Sequence, residues 1–176
     1  MNIKNDFVLP IIVLTLICLF VSGALAVVNS FTQPVIEIAA AKRAYEARRD
    51  IIPQADDFET LEVYGLPKSV TDVYRATNNT GYIFMVTTIG YGGEIKIICG
   101  ITPDGKVIKA KVLEHSETQG LGTPIFEEPH ASQYWGSDKN QIEQVEAISG
   151  ATITSNAFKY GIRDAFTAFE IVRNMP

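Results

Sequence analysis

Close to its start the chain carries one long, nearly continuous apolar run. From Phe7 to Val28 only Thr15 and Ser22 are polar. A run of about 22 residues, wound as a helix, crosses a hydrocarbon core of about 30 Å. Pro10 falls in its first turn, where proline is tolerated. From Pro34 to Ile51 the pattern changes. Ile36, Ala40, Ala44 and Ala47 recur at helical spacing among Arg and Glu, which predicts an exposed helical stalk ended by Pro53. Gln54 to Lys68 has no period, and Gly65-Leu66-Pro67 reads as a turn. Four β-branched and aromatic segments follow: Val70–Ala76, Tyr82–Ile89, Glu94–Ile101 and Lys106–Leu113. Asn78-Asn79-Thr80-Gly81 and Pro103-Asp104-Gly105 supply turns between them, so an antiparallel meander is expected. Phe126 to Trp135 reads as a short helix or loop, and Asn140 to Ile148 as a strand or loop. Asn156 to Met175 is amphipathic, with Phe158, Ile162, Phe166, Phe169 and Ile171 near one face that should close over the sheet. The expected class is α+β: one N-terminal transmembrane helix, then a mixed helix and antiparallel-sheet domain. The expected segments are an anchor over residues 1–30, a helical stalk over 31–52 and a folded domain over 53–176.

The anchor has a competing reading, a cleaved signal peptide, because Ala24-Leu25-Ala26 resembles a small-residue cleavage site. A leader with Lys4 alone as its basic residue, and a run longer than a usual signal core, favour a retained span. Lys42, Arg43, Arg48 and Arg49 outnumber Lys4, so a simple charge count would keep the domain on the cytoplasmic side. They begin well beyond the span and mix with Glu37 and Glu46, which weakens that count.

Composition narrows the chemistry. Hydrophobic residues at 47% and charged residues at 20% describe a globular chain. A net charge of −5 argues against a nucleic-acid partner. Cys18 in the apolar run and Cys99 in a strand should not meet, and no cysteine set for an iron–sulfur cluster is present. His115 and His130 read as surface or rim histidines, not a metal site. Phe126, Tyr134 and Trp135 read first as ordinary core. No P-loop, dinucleotide fingerprint or catalytic triad is visible.

The chemistry concentrates at Ser149-Gly150-Ala151-Thr152-Ile153-Thr154-Ser155, just ahead of the last helical pattern. Small residues let another group approach the backbone, and a helix N-terminus presents unpaired N–H groups that suit a phosphate. The simpler reading is a cap, with Thr154 or Ser155 closing the helix. The four residues S-G-A-T should occur by chance in roughly a few per thousand chains of this size, which makes them specific. They resemble the flavinylation motif of the FMN-binding domain found in the G subunit of Rnf complexes and the C subunit of the sodium-pumping NADH:quinone reductase. The resemblance implies FMN joined through its phosphate to Thr152, one per chain, by a separate flavin transferase, with Thr154 the nearest rival. Glu146 stands where that family often has Asp.

Two further stretches carry the same resemblance. His115-Ser116-Glu117-Thr118-Gln119-Gly120-Leu121-Gly122 is similar to the family's E-T-P-G-L-G loop, with Gln119 in place of Pro. It implies that Glu117, Thr118, Gly120, Leu121 and Gly122 border the flavin, the glycines pointing N–H groups at the ring and Leu121 supplying an apolar face. Gly90-Tyr91-Gly92-Gly93 is similar to the family's G-Y-G-G turn, which brings in Tyr91; alone it reads equally as a hairpin turn. Ser149, Gly150, Ala151 and Thr154 complete the implied pocket. The implied function is electron relay through FMN within a membrane complex coupling ferredoxin and NAD chemistry to ion movement, beside other membrane subunits. The resemblance also implies a domain outside the cytoplasm. Two alternatives stand beside it: the FMN-binding domain of another extracytoplasmic reductase, or a pilin-like structural subunit. A pilin usually has a basic leader and an early glutamate in its apolar run, and neither is present here.

Overall fold

The computed structural model describes residues 3–175, with side chains described from Val8 onward. Helix α1, Ile3–Ile51, is a single helix of 49 residues with Pro10 and Pro34 inside it. No break separates the expected anchor from the expected stalk. By compactness the chain divides into two units, one ending at Arg43 and the other beginning at Ala44.

In the first unit the helix is long and apolar enough to cross a membrane. Its apolar side chains are exposed, Leu19 at 69% and Phe20 at 77% among them. Hydroxyls along it turn to its own backbone: Thr15 Oγ1 donates to Ile11 O at 2.8 Å and Ser30 Oγ to Val27 O at 2.7 Å. Such internal bonds spare a helix in hydrocarbon an unsatisfied polar group.

In the second unit five antiparallel strands pair in chain order: β1 (Phe58–Thr60), β2 (Val70–Ala76), β3 (Tyr82–Ile89), β4 (Glu94–Ile101) and β5 (Val107–His115). The four predicted strands are present. The short edge strand β1 lies within the stretch expected to be irregular; three residues are too few to show a period of two. Helix α3, Thr152–Arg173, packs on one face. There Ile95, Ile97, Cys99 and Ile101 of β4 meet Phe158, Ile162, Ala165, Phe166 and Phe169 in the main core. The opposite face carries Ala76, Ile83 and Ile98 and is covered by Ala47, Ile51 and Ile52. The last turns of α1 are therefore not exposed stalk: Ala47 and Ile51 are buried at 8% and 1%. Alanine-rich helices give too little hydrophobic contrast to reveal such a face from sequence.

Two local readings are corrected. Residues 140–148 form neither a strand nor a plain loop at their start. Helix α2 (Lys139–Ile142) opens with a capping box: the Asp138 carboxylate accepts from the Asn140 and Gln141 N–H groups, and Gln141 Oε1 accepts from the Asp138 N–H. And α3 starts at Thr152, not near Asn156, with Ala151 at its N-cap and no side-chain cap. Thr154 and Ser155 lie inside the helix. Ser155 Oγ accepts the Ile148 N–H at 3.1 Å, which ties the incoming chain to the first turn.

Candidate functional site

Three segments far apart in sequence meet at one cleft of about 440 Å³, a size typical of small-molecule sites. Tyr91 comes from the β3–β4 turn. Glu117, Thr118, Leu121 and Gly122 come from the loop after β5. Gly150, Ala151, Thr152, Ile153 and Thr154 come from the start of α3. Of the residues predicted from sequence, Ser149 and Gly120 lie beside the cleft and do not line it. Ile153 is an addition: it occupies the variable position of the motif, and its helical phase beside Thr152 turns it to the rim, 57% exposed.

The backbone makes the convergence possible. Gly150 has φ +83° and Gly120 has φ +78°, in the left-handed region that favours glycine. The loop after β5 closes on itself: the Leu121 and Gly122 N–H groups donate to Thr118 O at 3.2 and 2.9 Å, and the Gly120 N–H donates to Thr123 Oγ1 at 3.0 Å. These donors thus serve the turn and are not free to meet a ring carbonyl, contrary to the expectation from sequence. Gly122 is needed for space. A Cβ there would come within 2.8 Å of Glu117 Oε2 and 2.9 Å of Glu117 Cβ.

Glu117 is the hub. It is buried at 8%, its Oε1 accepts the Gly92 N–H at 3.0 Å, and its Oε2 accepts the Thr154 hydroxyl at 2.8 Å. Its own N–H donates to His115 Nδ1 at 3.2 Å. One carboxylate therefore joins the glycine turn, the β5 loop and α3. The two threonines of the motif differ in their surroundings. Thr154 is 2% exposed with its hydroxyl committed, whereas Thr152 is exposed and opens α3 at the cleft. The first turn of α3 holds no acidic residue. Its unpaired N–H groups and positive helix end therefore face the cleft without a neutralising neighbour on their own turn. Tyr91, Leu121 and Ile153 form an apolar rim, all exposed by more than half. A helix N-terminus for a phosphate and an apolar rim for a flat ring fit an FMN.

The remaining candidates fall elsewhere. Tyr134 is fully buried, and Phe126 and Trp135 pack against the same core. Phe126 and Tyr134 pack on Phe158, with ring centroids 5.8 and 5.4 Å apart; none of the three lines the cleft. Burial pushes the Cys99 thiol up to about 12, which leaves it unreactive. His115 lies exposed at the loop, but His130 is not a surface residue. It is 6% exposed and packs 6.0 Å from the Tyr134 ring. Burial, and secondly Lys159, lower its pKa.

Fold and site together define an FMN-binding domain, and the model of the FMN-binding domain family matches residues 90–167. That span contains every residue lining the cleft. Among curated proteins, the G subunit of the proton-translocating ferredoxin:NAD(+) oxidoreductase complex of Clostridium ljungdahlii is 31% identical over 162 residues. That alignment covers 86% of this chain and 85% of the relative. The G subunit of the ion-translocating oxidoreductase complex of Methanosarcina acetivorans is 30% identical over 171 residues, covering 89% and 91%. The counterpart from the Na(+)-translocating ferredoxin:NAD(+) oxidoreductase complex of Acetobacterium woodii is 26% identical over 191 residues, covering 90% and 89%. The chain belongs to this family of G subunits of ion-translocating ferredoxin:NAD oxidoreductase complexes. That membership takes the place of the pilin-like alternative.

Proposed function

We propose that this protein is the FMN-carrying subunit of a membrane-bound, ion-translocating ferredoxin:NAD oxidoreductase, and that it relays electrons between neighbouring subunits. The observation that carries the reading is the convergence of the three motif segments on one cleft, with Thr152 at its helix end. FMN exchanges one or two electrons, the chemistry a relay needs. The chain supplies the holding. Thr152 attaches the phosphate as an ester, formed by a flavin transferase. The N-terminus of α3 stabilises its negative charge. Tyr91, Leu121 and Ile153 border the ring and shed water from it. Covalent attachment keeps the carrier from being lost, which matters most for a domain held outside the cytoplasm. The apolar part of α1 is retained as the single membrane anchor.

The test is spectroscopic. Full-length protein co-expressed with a flavin transferase and purified under denaturing conditions should keep a visible flavin absorbance. In native form that absorbance should bleach with a chemical reductant and return in air. A colourless preparation would refute the relay reading.

A further inference from the structure

Electron carriers work at a potential set by their surroundings, and the cleft contains one buried full charge. Among the described residues that line the cleft, Glu117 is the only acidic one. Its two oxygens are held by a peptide N–H from Gly92 and a hydroxyl from Thr154. Both donors are neutral, so they fix and stabilise the negative charge without cancelling it. Gly122 and Gly90 press against the carboxyl so closely that a Cβ on either would collide with it. The carboxyl is therefore closely flanked by backbone on two sides. Such packing is more than a loop staple requires, because a neutral amide of the same shape would bridge the same segments.

We propose that Glu117 sets the midpoint potential of the FMN held in this cleft, keeping it lower than the same pocket would give without the charge. The proposal rests on the reading that the cleft holds FMN. Each electron delivered by an upstream donor brings one negative charge into the cleft, offset by any proton that follows it, and each electron passed on takes that charge away. A fixed negative charge lining the same cleft, screened poorly where it is buried, opposes that gain. A lower potential makes the carrier a better donor to the next member of the complex. Glu117 is thus a positioning and tuning residue, not a reacting one.

The experiment compares spectroelectrochemical midpoint potentials of three full-length, flavin-loaded proteins at one pH: wild type, Glu117→Gln and Glu117→Ala. Gln can keep both bonds, its Oε1 accepting from Gly92 N–H and its amide donating to a rotated Thr154 hydroxyl, so it removes mainly the charge. Ala removes the charge and the bonds together. The expected result is a higher potential for both variants. An unchanged or lower potential in Glu117→Gln overturns the proposal. If Glu117→Gln takes up no flavin, Glu117→Ala decides: a higher potential supports the proposal, and an unchanged or lower one overturns it. Loss of flavin from both variants would make Glu117 a loading residue and overturn the proposal as well. A wild-type protein with no flavin would instead defeat the functional reading, and the proposal with it.

Discussion

Thr152 and Thr154 share one helical turn but meet opposite surroundings, so their two hydroxyls should behave differently. Thr152 is open at the cleft; Thr154 is buried with its hydroxyl on Glu117. Thr152→Ala should therefore abolish in-gel flavin fluorescence, and Thr154→Ala should retain it. Gly122 and Gly120 should also part. Gly122→Val drives a side chain into Glu117, so it should cost about 1–3 kcal/mol by overpacking and disturb the flavin spectrum. Gly120→Ala meets open space and only a left-handed backbone, so its cost should stay at about 1–2 kcal/mol with the spectrum kept; equal spectral effects would contradict this split. His130 makes stability depend on pH. Its folded pKa lies below the ordinary 6.5 because burial, and secondly Lys159, disfavour the cation. Above that ordinary value both states are neutral. As pH falls below it, the unfolded chain takes up a proton that the folded chain resists, so stability drops until pH passes the folded value. Melting temperature should fall on acidification from about pH 7 to 5, and less steeply in His130→Gln. Parallel curves for the two proteins would remove His130 from the account.

Elements differ in how far their sequence betrays them. The strands are legible because β-branched residues alternate or cluster between turn residues, as in Tyr82–Ile89 and Glu94–Ile101. Helix α2 is legible in principle, since Asp138 and Gln141 stand at capping-box spacing, but a single turn offers no hydrophobic period to draw attention. The start of α3 escapes a sequence reading because no side chain caps it. The hydroxyls that could have marked the boundary serve Glu117 and the Ile148 N–H instead. The three motif segments are visible one by one. Their meeting is not, because it runs through a buried carboxylate whose partners lie 25 and 37 residues away. The end of α1 is the other hidden feature. Arg48 lies 4.3 Å over the Tyr74 ring, and Asp50 takes both Lys109 and Lys111 at 3.1 Å. Ile51 is the buried anchor of that contact, so Ile51→Ala should cost about 2–5 kcal/mol. A melting temperature within a degree or so of wild type would mean that these turns are dispensable.

At the scale of the molecule, the second compact unit begins at Ala44, so the folded domain needs the end of α1. A chain beginning at Ser30 should be soluble and accept FMN, whereas one beginning at Pro53 loses Ala47, Ile51 and Ile52 and should melt lower or aggregate. Arg48, among the basic residues after the span, takes part in the domain's packing over Tyr74. The proposed orientation predicts that protease added to intact spheroplasts digests the domain; full protection would place it on the cytoplasmic side. The proposed relay depends on a covalent bond between Thr152 and FMN. Intact-mass and peptide mass spectrometry of protein co-expressed with a flavin transferase would reveal it. The protein should gain the mass of one FMN less one water, mapped to Thr152. An unmodified mass, or an adduct on Thr154 or elsewhere, would mean that Thr152 does not carry the flavin.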